Sequence, residues 1–116
     1  MLNSKLETNG TIVYLYDKNG NKTSDYWGYI FKKDNIVWLT ITAPAAITIA
    51  ADTWQTVAKL DTKYRPNREV ALFAACYQTI NSALNCFINK DGEVKIYNPT
   101  SSTVSYFRCG GMWFTD

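Results

Sequence analysis

Two short stretches of the sequence supply aromatic rings or planar polar groups. Asp25-Tyr26-Trp27, continued by Tyr29, places rings beside a carboxylate, and Asn81-Ser82 offers an amide and a hydroxyl. A ring can stack on a pyranose face, while amides and carboxylates hold hydroxyl groups in bidentate geometry. The alternatives are that Trp27 and Tyr29 belong to the core or a subunit contact and that Asn81-Ser82 only forms a turn. The predicted ligand-binding residues are Asp25, Tyr26, Trp27, Tyr29, Asn81 and Ser82.

The residue types that usually carry catalysis or bind metals are scarce. Histidine is absent, which removes the commonest general base and every histidine-based nucleophilic triad. A glycosidase needs two carboxyl groups roughly 5 to 10 Å apart in a cleft, whereas the three Glu and seven Asp lie mostly in turn-like positions. A zinc site made of cysteines needs four ligands, and the chain has three. We predict no catalytic residue, no metal site and no cofactor.

The three cysteines, Cys76, Cys86 and Cys109, are predicted to be free thiols in the core. If Asn81 sits at a hairpin turn, Cys76 faces Cys86. Opposed residues of an antiparallel pair have Cβ atoms about 4.5 to 5.5 Å apart, which is longer than a relaxed disulfide prefers. A bridge between Cys76 and Cys86 is the alternative.

Length, composition and charge indicate one all-β domain. A chain of 116 residues buries roughly two-thirds of its unfolded surface, enough for one independent core. Aromatic residues make up 15% of the chain, a bias typical of pleated, half-buried surfaces. The net charge of +2 is spread along the chain and no apolar run reaches about 18 residues, so we expect neither nucleic acid binding nor membrane insertion. We assign residues 1–9 to a linker or an added leader and residues 10–116 to the folded domain.

Short candidate strands recur along the chain, separated by turn residues such as those of Asp17-Lys-Asn-Gly20 and Asn89-Lys-Asp-Gly92. This spacing predicts an antiparallel sandwich or barrel of about eight to ten strands. A short helical or 3₁₀ turn is possible at 43–46 or 61–64. The predicted strands are Thr11–Tyr16, Tyr26–Phe31, Ile36–Thr42, Ala46–Ala50, Trp54–Leu60, Val70–Tyr77, Leu84–Asn89, Glu93–Tyr97 and Val104–Phe114.

Two of these strands, Thr11–Tyr16 and Ile36–Thr42, are apolar on both faces. The outer face of a monomeric antiparallel sandwich should be polar, so we predict that another copy of the chain covers it. The alternative is that the exposed rings only form cross-strand pairs. Gly110-Gly111 in the last strand indicates either a bulge within the sandwich or, in a trimer, strands of neighbouring subunits that pass close together near the axis.

The segment Trp54-Gln-Thr-Val-Ala-Lys-Leu-Asp-Thr-Lys-Tyr-Arg-Pro66, followed by Ile88-Asn-Lys-Asp-Gly-Glu-Val-Lys-Ile96, resembles the C-terminal head domains of tailed-phage receptor-binding proteins. The likeness extends over most of the chain, and its distinctive part lies within these two segments. The matching residues look structural, and Pro66 favours an extended Arg65 at the corner. The matches are Trp54, Leu60, Tyr64, Arg65 and Pro66 in the strand and corner, and Gly92, Val94 and Ile96 in the hairpin.

The resemblance implies a trimeric, jelly-roll-like antiparallel β-sandwich at the tip of a tail fibre or baseplate. It further implies a homotrimer that is joined to the rest of the fibre or baseplate, binds a host cell-surface saccharide and performs no catalysis. Such a head is part of the virion and is assembled in the bacterial host cytoplasm. Receptor contacts in these heads lie in variable loops, so the resemblance assigns no contact residue here.

Two other functions compete with receptor binding. One is a structural trimerisation or capping module of a tail fibre, which contacts no receptor. The other is a glycan-active enzyme domain, which the shortage of suitably placed carboxylates disfavours. An adhesion head binds glycans, whereas a structural module does not. A glycan-active enzyme would also hydrolyse them.

Overall fold

The computed structural model describes residues 10–23, 28–77 and 83–115. The described chain forms eight β-strands and one 3₁₀ turn, Thr62–Tyr64. It contains no helix long and apolar enough to cross a membrane. The strands are β1 (Thr11–Val13), β2 (Gly28–Lys33), β3 (Ile36–Thr42), β4 (Thr53–Lys59), β5 (Val70–Cys76), β6 (Asn85–Ile88), β7 (Glu93–Asn98) and β8 (Phe107–Phe114).

All eight strands belong to one sheet in the order β1-β2-β3-β8-β5-β6-β7-β4, and every pairing is antiparallel. The sheet curls into a half-barrel, which brings its two edge strands toward each other. The Tyr16 N–H, just beyond β1, donates to the Val57 carbonyl of β4 at 2.9 Å. The prediction of an all-β antiparallel fold with about eight to ten strands is confirmed.

The core fills the inside of the curl with alternate residues of each strand, as the period-two pattern requires. In β3, for example, Val37, Leu39 and Ile41 are buried, while Ile36 and Trp38 lie half-buried on the outer face. Both faces of this strand therefore carry apolar side chains, as the sequence predicted. Its inner half makes the core, and its outer half lies on the surface of the single chain.

One predicted strand, Ala46–Ala50, is wrong. Only Ile49 of that segment makes a bridge, to Val104, and the preceding residues form a turn closed by a hydrogen bond from the Ile47 N–H to the Pro44 carbonyl. Proline fixes its own φ and suits the turn, so the apolar run there packs inward without joining a ladder.

The first and last predicted strands are each three residues shorter than expected. The first ends at Val13, and Tyr16 makes only an isolated bridge with Lys22. The last begins at Phe107, because Tyr106 takes a left-handed φ of 54° that interrupts the extended backbone after Val104. The predicted 3₁₀ turn after Asp61 is confirmed at Thr62–Tyr64.

The predicted pairing of Cys76 with Cys86 is wrong. Cys76 pairs with Phe107 of β8, and Cys86 pairs with Leu72. The bridge between Ala75 and Ala83 follows the same register as Leu72 with Cys86, and this register differs from the one predicted with Asn81 at the turn. All three cysteines are buried, and none of them forms a disulfide within the described part of the chain.

Cys109, rather than Cys76, is the neighbour of Cys86 inside the half-barrel. A hydrogen bond with Cys86, together with burial, raises the pKa of the Cys109 thiol well above its ordinary value. A thiol that stays protonated is a poor nucleophile and metal ligand. The pair therefore behaves as packed core.

Candidate functional site

The structure describes one of the six residues predicted to bind a ligand. Tyr29 lies on β2 between Ile12 and Thr40 of the flanking strands, with its ring exposed on the outer face of the sheet. The other five lie outside the described residues: Asp25, Tyr26, Trp27, Asn81 and Ser82.

A cleft of about 480 Å³ lies along the free edge of β4. One wall is the first half of this strand, including Trp54 and Gln55, and the opposite wall is the turn from Asp17 to Gly20. Its volume falls within the range of about 300 to 1,000 Å³ typical of small-ligand sites. We call it the Trp54–Gln55 cleft. Its lining residues are Tyr16, Asp17, Lys18, Asn19, Gly20, Ala50, Thr53, Trp54, Gln55, Thr56, Lys59 and Glu93.

The turn wall is held by the side chain of Asp17. Its Oδ1 accepts hydrogen bonds from the backbone N–H groups of Asn19 and Asn21, both at 2.9 Å. Gly20 supplies the left-handed residue, with a φ of 82°, and its N–H donates to the Asp17 carbonyl at 3.0 Å. An aspartate that bonds its own following backbone is typical of such turns. The wall is thus fixed by local sequence, as the turn chemistry predicted.

The segment leading into β4 is anchored by the fully buried Asn98. Its Nδ2 donates to the carbonyls of Ile49 at 3.0 Å and Ala50 at 3.2 Å. Asp52 then adopts a left-handed φ of 53°, and the chain enters the strand at Thr53. A buried amide that satisfies backbone carbonyls makes this end of the cleft rigid.

Trp54 supplies the aromatic wall of the cleft. It pairs with Tyr97 of β7 and contacts the rings of Tyr97 and Phe87 at centroid distances of 5.1 and 5.2 Å. Trp54 is nevertheless 51% exposed. The two rings hold the indole in place and leave much of its surface free to stack on a ligand.

Tyr97 is itself held from behind by a hydrogen bond that its hydroxyl donates to Asp52. This bond, with smaller contributions from burial and the charge of Asp52, raises the pKa of Tyr97. The phenol therefore stays neutral well past neutral pH.

Gln55 faces the inner side of β4 and also borders the cleft, because the cleft follows the strand edge. The side chain is 9% exposed, and its Nε2 has no hydrogen-bond partner among the described residues. A buried donor without an acceptor costs about 1 to 3 kcal/mol. An unpaired amide beside an open cleft is the feature expected where a ligand supplies the missing acceptor.

Charged groups of both signs line the cleft. Lys59 lies over the Tyr16 ring at 4.7 Å, and Glu93, its cross-strand partner on β7, accepts a hydrogen bond from Asn89 Nδ2 at 2.9 Å. With Asp17 and Lys18, the cleft carries two carboxylates and two ammonium groups. Both carboxylates accept hydrogen bonds within their own turns. This arrangement suits binding of a polar, uncharged ligand better than acid–base chemistry.

A second surface lies on the outer face of β3, β8 and β5. Phe73, Met112 and Phe114 are 58%, 64% and 61% exposed, and Trp38 stacks on Phe31 at 6.0 Å. We call these five residues the outer apolar face. A shallow hollow of about 560 Å³, lined in part by Phe73, Trp38 and Met112, lies within it. Exposed apolar surface of this kind is typical of an interface.

Gly110 is needed beneath the outer apolar face. A Cβ there would overlap the Leu39 carbonyl oxygen of β3. Gly110 and Gly111 pair in regular register with Thr40 and Leu39, so the predicted bulge is wrong, and the close approach at Gly110 is to a strand of the same chain.

The corner and hairpin residues that carried the resemblance have structural roles. Tyr64 is buried, and its carbonyl accepts a hydrogen bond from Trp113 Nε1 at 2.7 Å. Arg65 is extended, and its Nε donates to the Leu60 carbonyl at 2.9 Å. Gly92 takes a φ of 84° where a Cβ would press on Arg65. Trp54 is the exception, since it is exposed in the cleft.

Trp54 and Gln55 were not among the ligand-binding residues predicted from the sequence. They are an aromatic ring and a planar amide, two of the kinds of group by which the other candidates were chosen. Its place inside a strand suggested a structural role, and only the fold shows that this strand is an edge.

Comparison of the sequence with known proteins finds no matching family model and no matching curated protein. In the described ranges, no group of three or more His, Cys, Asp or Glu side chains could hold a metal ion. We therefore infer a function from the geometry of the cleft and the outer apolar face, and from the sequence resemblance.

Proposed function

We propose that this chain is the receptor-binding head domain of a tailed-phage tail fibre or baseplate protein. It binds a host cell-surface saccharide as a homotrimer and performs no catalysis. It is assembled in the bacterial host cytoplasm, joins the rest of the fibre or baseplate and becomes part of the virion. The sequence resemblance motivates this proposal, and the cleft and outer apolar face support its two main parts.

The observation that carries saccharide binding is the exposed Trp54 ring beside the unpaired amide of Gln55. A pyranose has an apolar face for the indole and an equatorial set of hydroxyl groups for amides and carboxylates. The cleft places Asp17 and Glu93 within the same lining as these two residues. A shallow site of this kind binds weakly, and useful affinity comes from several linked copies on one cell surface.

The outer apolar face supports the homotrimer. Exposed Phe73, Met112 and Phe114 are costly to leave in water, and a second copy of the chain can cover them. This interpretation continues the two-sided apolar pattern of Ile36–Thr42, whose outer Trp38 belongs to the same face.

The sandwich arrangement of such heads is part of the proposal. β5 pairs with β6 through Val70–Leu72 and with β8 through Phe73–Cys76. β5 therefore divides the sheet into two sections, β1-β2-β3-β8 on one side and β6-β7-β4 on the other. Strands that change sheets form the corners of sandwiches, which supports a jelly-roll-like interpretation of the half-barrel.

Glycan binding by Trp54→Ala tests the saccharide site. We expect binding of the purified chain to an array of bacterial surface glycans to fall by about tenfold or more, equivalent to about 1.4 kcal/mol. Trp54 packs on two rings, so stability should fall by only about 1 to 2 kcal/mol. Thermal unfolding and light scattering check that the variant keeps its fold and oligomeric state.

Trp27→Ala is the matched control, because it removes the same side chain from the site predicted by sequence. Loss of binding in Trp27→Ala alone would move the site to Asp25–Tyr29. A wild-type chain that binds no glycan on the array or on host cells would contradict saccharide recognition and favour the structural capping module. If the chain releases reducing sugar from a glycan, and Asp17→Asn or Glu93→Gln abolishes this release, the result would favour the glycan-active enzyme domain.

A further inference from the structure

We propose that the Trp54–Gln55 cleft selects an uncharged sugar that carries an acetamido group, with the Gln55 amide donating to the acetamido carbonyl beside the Trp54 ring. The inference rests on the proposed saccharide function and specifies the ligand class of the same site. Two described features point to it independently: the unpaired Nε2 of Gln55 and the open edge of β4.

The first step is the hydrogen-bond requirement of Gln55. Its Nε2 carries two donor hydrogens and has no acceptor among the described residues, while the residue is 9% exposed. A bound ligand can satisfy the unpaired Nε2 donor only by supplying a hydrogen-bond acceptor. A carbonyl oxygen is an acceptor alone, whereas a sugar hydroxyl also brings a donor that needs its own partner. The unpaired donor therefore favours a ligand carbonyl.

The second step is the strand edge. β4 is the last strand in the sheet order, and the backbone hydrogen bond found on its outer edge in the described chain comes from Tyr16 to Val57. Ahead of this bond, the edge along Thr53–Thr56 lines the cleft. An open edge presents peptide N–H and C=O groups. An acetamido group is a secondary amide, with the donor and acceptor that complement such an edge.

The third step is the apolar part of the acetamido group. Its methyl needs a dry surface, and the exposed half of the Trp54 indole provides one next to Gln55 in the chain. The rings of Phe87 and Tyr97 hold this indole in place. One substituent thus satisfies the amide donor and covers part of the exposed ring.

The fourth step is charge. The lining pairs Asp17 and Glu93 with Lys18 and Lys59, so it carries no net charge that would select an anionic or a cationic sugar. A free amino sugar also places a donor against the Gln55 donor. The cleft therefore favours the N-acetylated form over both the amine and the parent hexose.

The experiment is a set of NMR titrations of the intact chain with N-acetylglucosamine and N-acetylgalactosamine, compared with glucose, galactose and glucosamine. We expect the N-acetylated sugars to bind at least about tenfold more tightly than the parent hexoses. Gln55→Leu should weaken the binding of the N-acetylated sugars most and thereby abolish this preference. Asn85→Leu removes an exposed amide on β6, outside the cleft lining, and should leave the preference intact.

The thermal midpoint of Gln55→Leu separates a binding role from a structural one. Because the substitution removes an unpaired buried donor, we expect the midpoint of the free protein to stay equal or rise. A marked fall would show that Gln55 supports the fold and would overturn the assignment. Gln55→Glu, which keeps the shape but removes the donor, should lose the same preference.

Three other results would overturn the inference. Equal affinity for N-acetylated and parent sugars, unchanged by Gln55→Leu, would contradict it and leave saccharide recognition standing. Equal binding of N-acetylalanine methylamide, which has an amide but no pyranose, would show that the edge recognises peptide. Binding of no sugar, together with a blank glycan array, would contradict the proposed function as well.

Discussion

Trp54 and Gln55 are neighbours in the chain that face opposite sides of β4, yet both reach the same cleft because it lies along the edge of the strand. In the middle of a sheet, adjacent residues could not act on one ligand. The edge position therefore turns an ordinary strand dipeptide into a ring and an amide that one sugar can contact. Removal of either side chain should weaken sugar binding while the chain still folds.

The hydrogen bond between Tyr97 and Asp52 gives a prediction at the same scale. Because the bond raises the pKa of Tyr97, the folded state holds the phenol proton more tightly than the unfolded chain. The associated stability is present below the ordinary tyrosine pKa of about 10 and is lost as the pH rises through the raised value.

Phenolate absorbance, measured as the difference between the wild type and Tyr97→Phe, reports this titration. Asp52→Ala removes both the acceptor and the charge and should bring the pKa of Tyr97 back toward about 10. An unchanged pKa in Asp52→Ala would show that burial, rather than the hydrogen bond, causes the shift.

At the scale of the elements, the pairing of β3 with β8 depends on Gly110. Alanine at this position would overlap the Leu39 carbonyl oxygen, so we expect Gly110→Ala to destabilise the fold by about 2 to 4 kcal/mol. Chemical denaturation measures the change in the free energy of unfolding.

Gly20→Ala is the matched control. A Cβ there meets nothing within 4 Å, and only the left-handed φ of 82° opposes it, at a cost of about 1 kcal/mol. Equal losses in the two variants would mean that backbone strain, and not the close approach of β3, explains the requirement for glycine.

The strands themselves could largely be predicted, because alternation and turn residues are local. Segments such as Ile36–Thr42 and the turn at Asp17 are specified by their own side chains. The order of the strands could not be predicted, since the register of β5 depends on β8, far along the chain. The strand order makes β4 an edge strand, so the exposure of Trp54 could not be predicted from the sequence either.

At the scale of the whole molecule, the outer apolar face predicts the oligomer. Light scattering of the wild type should give the mass of a trimer at micromolar concentration. Met112→Lys places a charge within the face and should shift the mass toward the monomer, because a charge buried between subunits is costly.

Asn85→Lys adds the same charge at an exposed position of β6 and should leave the mass unchanged. A monomeric wild type would contradict the trimer and favour the alternative that the exposed rings only form cross-strand pairs. A dimer would argue against the likeness to phage heads more than against the interface.

The most direct test of saccharide recognition in the cleft uses the four tryptophans, Trp27, Trp38, Trp54 and Trp113, as probes in one spectrum. Indole N–H resonances are recorded while a glycan that the chain binds is added. We predict the largest shift for Trp54 and almost none for Trp113, which is buried against Tyr64. A shift confined to Trp27, or an unmoved Trp54 at saturation, would contradict the assignment of the cleft.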